Sequence, residues 1–208
     1  MENSDNFNLK NLTKSTILGR VLFPSQVIKN KVIQLGKAIT EDYKYRDNDL
    51  LLISVLRGGV FFFTDLLRNI DLEISIDFIG ISTYQTLGFK SSGVVKITKD
   101  LEESIEGKDI IIVEDIIDTG LTIDYLLRNL KSRYPTSIEI CTLLDRNVRR
   151  IADIKIKYTG FTIGEEFVVG YGLDYKQKYR NLESIYELKI DTVKKDIETI
   201  QSSSSNNQ

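Results

Sequence analysis

From position 114 the chain reads Glu114-Asp115-Ile116-Ile117-Asp118-Thr119-Gly120-Leu121-Thr122: three carboxylates, then two hydroxyls around a glycine. The residues just before, Asp109 to Val113, are almost solidly apolar, the pattern of a strand covered on both faces. The residues just after, Leu121 to Leu130, have helical periodicity. A helix that starts here offers unpaired N–H groups and positive partial charge to an anion. Thr119 and Thr122 can donate hydroxyls to the same phosphate, and Gly120 lets backbone amides approach it. Carboxylates beside a phosphate make chemical sense when they grip sugar hydroxyls or a bridging Mg²⁺. Together these groups suit a ribose 5-phosphate, with the phosphate on the helix N-terminus and the diol on the acids. Plain helix capping, with Asp118 or Thr119 as the N-cap, is the alternative. It accounts for one or two of these residues and leaves three acids in five positions unexplained.

Composition narrows the chemistry further. Among 208 residues there is no histidine, which excludes Ser-His-Asp, Cys-His and His-ligated metal chemistry. The single cysteine, Cys141, excludes an intramolecular disulfide and falls inside a strand pattern, as a small buried hydrophobe does. Any catalysis therefore runs on carboxylates, hydroxyls, Lys/Arg and backbone amides. Lys+Arg of 28 against Asp+Glu of 30 leaves a net charge of −2, which gives no global reason to bind nucleic acid or anionic lipid. The apolar runs around Val60 to Phe63 and Ile110 to Val113 are too short to span a bilayer. With no targeting signal at either end, the expectation is a cytoplasmic protein that does not touch membrane.

The elements that must position these groups can be read from periodicity. Ser25 is placed to cap a helix carrying Val27, Ile28, Val32, Leu35 and Ile39. Leu50 to Leu56 is a short apolar strand stopped by Gly58-Gly59, and a helix follows over Val60 to Leu67. Ile74, Ile76 and Phe78 alternate with Ser75 and Asp77, which predicts a half-buried strand. A polar loop over Tyr84 to Gly93 and a returning strand over Val94 to Thr98 come next. Beyond the helix at Leu121, strands are predicted over Ile138 to Leu144 and within Ile154 to Ile163, Phe167 to Val169 and Ile185 to Ile190. Strand and helix in alternation make an α/β fold with a mostly parallel central sheet flanked by helices. Ligands of such sheets lie beyond the carboxyl ends of the strands. With no linker, charge block or repeat, the expected organisation is an N-terminal tail (1–14), one domain (15–190) and a C-terminal helix or Ser/Asn/Gln tail (191–208).

The run Ile110 to Thr122, IIIVEDIIDTGLT, resembles the phosphoribosyl-pyrophosphate (PRPP) motif of phosphoribosyltransferases. From about Leu18 to Leu188 the chain resembles the hypoxanthine-guanine branch of that family. Support comes from Val55-Leu56-Arg57-Gly58-Gly59, Ser92-Gly93-Val94-Val95-Lys96-Ile97, Leu143-Leu144-Asp145-Arg146, the stretch FVVGYGLDY from Phe167 and Tyr179-Arg180-Asn181-Leu182. The resemblance implies a type I phosphoribosyltransferase fold with a small hood, Mg²⁺ as cofactor, and a homodimer or homotetramer. It implies purine salvage: hypoxanthine or guanine plus PRPP gives IMP or GMP plus pyrophosphate. That displacement at the anomeric carbon passes through a sugar cation and needs no protein nucleophile, in keeping with a chain that lacks histidine.

The resemblance also implies roles for residues. Asp118 is similar to the family's general base at purine N7, and Glu114 and Asp115 to its pair at the ribose hydroxyls and Mg²⁺. Thr119, Gly120, Leu121 (through its backbone) and Thr122 correspond to the 5-phosphate cradle. Arg57 and Gly58 match the pyrophosphate loop, where the peptide before Arg57 can be cis, and Arg180 matches a pyrophosphate-binding cation. Phe167 corresponds to the ring stacked on the base, the Val168 backbone to its edge contact, and Asp174 to a residue serving the purine and a second Mg²⁺. Thr83 and Tyr84 open the segment similar to a mobile loop that closes over the site. Two positions depart from the family: Thr83 replaces a serine, and Arg146 stands where a lysine generally contacts the purine 6-oxo group. The competing class is a regulator that keeps this fold and binds RNA or DNA. It needs a basic face or an added module, and it has no use for Asp118 or for the Phe167 to Asp174 stretch.

Overall fold

A computed structural model describes residues 17–83 and 95–189. The proposed tails, the loop from Tyr84 to Gly93 and Val94 lie outside the described residues. In chain order the elements are β1 (Leu18–Phe23), α1 (Ser25–Tyr43), β2 (Leu50–Leu56), α2 (Val60–Leu67), β3 (Ser75–Thr83), β4 (Val95–Lys99), β5 (Asp109–Ile117), α3 (Leu121–Lys131), β6 (Ser137–Asp145), a 3-10 turn (Asn147–Arg149), β7 (Tyr158–Thr162), β8 (Val168–Val169) and β9 (Ile185–Leu188). Six strands form the central sheet in the order β4-β3-β2-β5-β6-β7. All its pairings are parallel except β3 with β4. The other three strands make a separate antiparallel sheet, β1-β9-β8, the expected hood.

The central sheet is covered on both faces, which is why β5 reads as a solid apolar run. Ile110, Ile111, Ile112 and Val113 are all fully buried. Ile111 and Val113 pack with Phe62, Phe63 and Leu66 of α2 and Ile28, Val32 and Ile39 of α1. Ile110 and Ile112 face the other way, onto Ile123, Leu126 and Leu130 of α3. Each such side chain contributes about 1.5–3 kcal/mol by leaving water. The sheet is therefore a rigid support for whatever its carboxyl edge carries.

Three local expectations are corrected. Ser25 does not cap α1: the N-cap is Pro24, without a side-chain cap bond, and the Ser25 N–H instead donates to the Ser184 hydroxyl at 3.0 Å. On β3 the alternation holds only in part: Ile74, just before the strand, and Phe78 pack against the core, but Ile76 is 51 % exposed and Asp77 is buried. Asp77 is tolerated inside because its carboxylate accepts from the Glu102 N–H at 2.8 Å and the Lys99 ammonium at 3.4 Å. Finally, β5 runs on to Ile117, so Glu114 and Asp115 lie within the strand; Glu114 pairs with Thr142 and Ile117 with Asp145 of β6.

Candidate active site

Four segments meet at the carboxyl edge of the parallel strands: the loop after β2, the end of β5 with its loop into α3, the segment after β6, and the hood. At the first, the Leu56–Arg57 peptide is cis, as the resemblance allowed, and Arg57 is exposed. Gly58 is glycine because nothing larger fits: a Cβ there would sit 1.7 Å from Asp115 Oδ2. Gly172, at φ 98°, closes in from the hood, where a Cβ would lie 2.1 Å from the Gly58 carbonyl oxygen. Arg180 ties down that part of the hood, donating from Nη1 to the Gly172 carbonyl and pairing through Nη2 with Asp174 Oδ1, both at 2.7 Å. Asp174 Oδ2 accepts from the Gln177 N–H at 2.8 Å. Arg57, Gly58, Asp115, Asp174 and Arg180 thus occupy one side of the cleft, and Arg180 is not a freely solvated surface arginine.

Glu114 and Asp115 are half-buried in surface terms but lie deep in the protein fold. Burial, with the Asp115 charge beside it, pushes the Glu114 carboxyl well above its usual range, and Glu114 Oε2 is buried without a hydrogen-bond partner among the described residues. Burial likewise lifts Asp115 to about 6, opposed by hydrogen bonds from backbone N–H groups and by the Arg180 charge. Neighbouring acids left in this condition are poised for a cation or for hydroxyl donors.

The next loop does not act as a side-chain cap. The N-cap of α3 is Gly120, at φ 81°, and no side chain caps the helix. Asp118 and Thr119 are therefore not caps; Thr119 Oγ1 lies 3.5 Å from the Leu121 nitrogen, at the outer limit of a hydrogen bond. Thr122 and the 41 % exposed Leu121 sit in the first turn, at the open cleft.

Asp118 faces the arginines that follow β6. Arg146 Nη1 donates to Asp118 Oδ2 at 3.1 Å, while its Nε and Nη2 donate to the Gly164 and Glu166 carbonyls at 3.1 and 2.5 Å. Asp118 Oδ1 is buried without a partner among the described residues. Arg149 lies 3.8 Å from Asp118 Oδ2 while bonded to Glu165, and Arg150 Nε donates to the Asp118 carbonyl at 3.0 Å. Arg149 and Arg150 were not anticipated. The signal for them was three arginines within five residues, directly after a strand of a parallel sheet.

Phe167 is 42 % exposed and stands edge-on to Tyr175, 5.9 Å between centroids, so it is not a core aromatic. Its carbonyl accepts from the Leu188 N–H at 2.7 Å. Antiparallel pairs alternate, so Val168, opposite Glu187, turns its N–H and C=O away from β9 toward the outer edge of the hood. Thr83 ends β3 opposite Val95, and Tyr84 lies outside the described residues. A second cleft of about 490 Å³, between α1, α2 and residues 181–183, is lined by Phe61, Asp65, Tyr171 and Leu182 and by none of the expected site residues.

The comparisons with known proteins agree with this geometry. A family model of the phosphoribosyl transferase domain matches residues 22–176. The hypoxanthine-guanine phosphoribosyltransferase of Staphylococcus epidermidis is 48 % identical over 178 residues, 86 % of this chain and 98 % of that protein. The hypoxanthine phosphoribosyltransferase of Escherichia coli is 45 % identical over 165 residues, 79 % of this chain and 92 % of its own length. The crystal structure of a hypoxanthine phosphoribosyltransferase from Staphylococcus aureus superimposes with a TM-score of 0.82 at 44 % identity, covering 88 % of this chain and 97 % of that one. With that coverage, and with a type I phosphoribosyltransferase fold, the chain belongs to the phosphoribosyltransferase family, on its hypoxanthine-guanine branch, and is a transferase.

Proposed function

We propose that this enzyme transfers the 5-phosphoribosyl group of PRPP to hypoxanthine and guanine, giving IMP and GMP plus pyrophosphate. The observation that carries the proposal is the pairing of Asp118 with Arg146 beside the N-terminus of α3. One carboxylate oxygen has no partner and the other touches a buried guanidinium. A 6-oxopurine presents a proton at N7 next to an oxygen acceptor on C6, and this pair offers an acceptor next to a donor.

In this reading the N–H groups at Gly120 to Thr122 hold the 5-phosphate, and Thr119 and Thr122 add hydroxyls. Glu114 and Asp115 orient the ribose hydroxyls. Arg57, Gly58 and Arg180 hold the pyrophosphate as it leaves, and Asp118 takes the N7 proton as the base attacks the anomeric carbon. Arg146 donates to the 6-oxo group, Phe167 stacks on the base, and the outward N–H and C=O of Val168 meet its edge. Thr83 and Tyr84 begin a loop that closes over the site, which keeps water from a sugar cation.

The donor set suits Mg²⁺. Glu114 has an orphaned buried oxygen, and burial holds both strand acids toward protonation. Mg²⁺ takes one or two carboxylates and completes its shell with substrate oxygens and water. Glu114 and Asp115 would hold one ion and Asp174 a second. When bound, the ion neutralises charge on the diphosphate and ribose oxygens. By the same resemblance the enzyme is a homodimer or homotetramer; the sequence pattern adds one domain over 15–190 and a place in the cytoplasm. No helix among the described residues is long and apolar enough to cross a membrane.

Asp118→Ala tests the proposal. Turnover with hypoxanthine should fall by roughly 10²–10⁴-fold, the usual contribution of a general base, while PRPP still binds. Turnover equal to wild type would remove Asp118 from the chemistry.

A further inference from the structure

We infer that Arg150 is the positioning residue of the phosphate-binding loop, an inference that rests on the reading of that loop given above. A loop that turns amide N–H groups toward an anion turns its carbonyls the other way, and those carbonyls need donors of their own. Here the segment after β6 supplies them. Arg150 Nε donates to the Asp118 carbonyl at 3.0 Å, and the Ile151 and Ala152 N–H groups donate to the Thr119 carbonyl at 2.9 and 3.0 Å. Arg150 is itself anchored: its Nη2 pairs with Asp145, the last residue of β6, which lies opposite Ile117 of β5. Its stem also forms the floor under Gly120, where a Cβ would meet Arg150 Cδ at 3.0 Å and Ala152 Cβ at 3.3 Å. One largely buried side chain therefore joins the ends of two neighbouring strands and fixes which way the Asp118 carbonyl faces, while the backbone that follows it holds the Thr119 carbonyl.

Arg150→Met keeps an unbranched stem over Gly120 and removes every donor; Arg150→Lys keeps the charge but gathers its donors on one nitrogen in place of the planar fork that spans both acceptors. In Arg150→Met, hydrogen exchange of the amides at 118–122 should rise roughly tenfold or more, while that of 110–113 in β5 stays unchanged. The KM for PRPP should rise about tenfold or more, as for a lost charged hydrogen bond, with the KM for hypoxanthine within about twofold of wild type. Arg150→Lys should fall between the two on both measures, a graded response that general loss of stability does not give. Faster exchange at 118–122 in a protein whose wild type makes no nucleotide would support the role of Arg150 and overturn the reading of the site. Exchange at 118–122 and a KM for PRPP both equal to wild type would overturn the role of Arg150. If Arg150→Met fails to fold, the same two readings on Arg150→Lys decide.

Discussion

Arg146 Nη1 lies 3.1 Å from Asp118 Oδ2, and the two residues are 28 positions apart in the chain. Arg146 is only 6 % exposed, and two backbone carbonyls hold its remaining nitrogens, so its charge is fixed in place beside the carboxylate. An arginine keeps that charge at every accessible pH and can only donate. The pair thus forms a donor next to an acceptor before any purine arrives.

Arg146→Met removes the donor and leaves Asp118 and two carbonyls without it. Its KM for hypoxanthine should rise tenfold or more, in line with a lost charged hydrogen bond. Arg146→Lys restores a donor and should return 6-oxopurine binding to wild type or better. Steady-state kinetics with hypoxanthine and guanine check both variants. Unchanged constants for every purine in both would place the side chain outside the pocket.

Glu114 illustrates a site held at the expense of stability. Its buried oxygen lacks a partner, and its charged form is disfavoured by burial and by Asp115. Without divalent cation at pH 8, Glu114→Gln should melt roughly 2–4 °C above wild type, the response of a chain this size to about 1 kcal/mol. The same variant should lose at least about tenfold in turnover. Calorimetry beside an activity assay tests the trade; a variant both less stable and fully active contradicts it.

Far from the cleft, the Asp42 carboxylate accepts from Lys157 Nζ at 2.9 Å and from the Tyr158 hydroxyl at 2.8 Å. The hydrogen bonds from Lys157 and Tyr158 hold its pKa below 3.8. A carboxyl with a lowered folded pKa adds stability above its unfolded value, about 3.9, and loses it as pH falls through the folded value. Asp42→Asn should therefore be less stable than wild type at pH 7, and the gap should shrink below about pH 4. Urea unfolding at both pH values checks this, and a gap independent of pH refutes it.

Local pattern was enough for β2, α2 and α3, because Gly58-Gly59 and Gly120 punctuate strongly apolar elements. Pattern reached an α/β fold with a mostly parallel sheet, the resemblance supplied the type I fold, and Glu114 to Thr122 do span the end of β5 and the start of α3. Local pattern was not enough where distant residues decide. β1 went unread because Leu18 pairs with Leu188 at the other end of the domain, and its central Arg20 and Val21 are exposed. Ser25 misled because its N–H is bonded by Ser184, 159 positions away. Asp77 looked solvated because the partners that make it a buried residue, Lys99 and the Glu102 amide, follow a turn of the chain. Arg149 and Arg150 carried no periodicity at all, and only the packing of the β6 loop against the β5 loop brings them to Asp118.

The central claim is a choice of purine, and it is read most directly from initial rates of nucleotide formation. PRPP and Mg²⁺ are supplied with hypoxanthine, guanine, xanthine or adenine in parallel. Arg146 can donate to a 6-oxo group and leaves a 6-amino group unpaired, so hypoxanthine and guanine should outpace adenine by roughly a hundredfold or more. Adenine turned over as fast as hypoxanthine, or no nucleotide from any base while PRPP binds, would contradict the account.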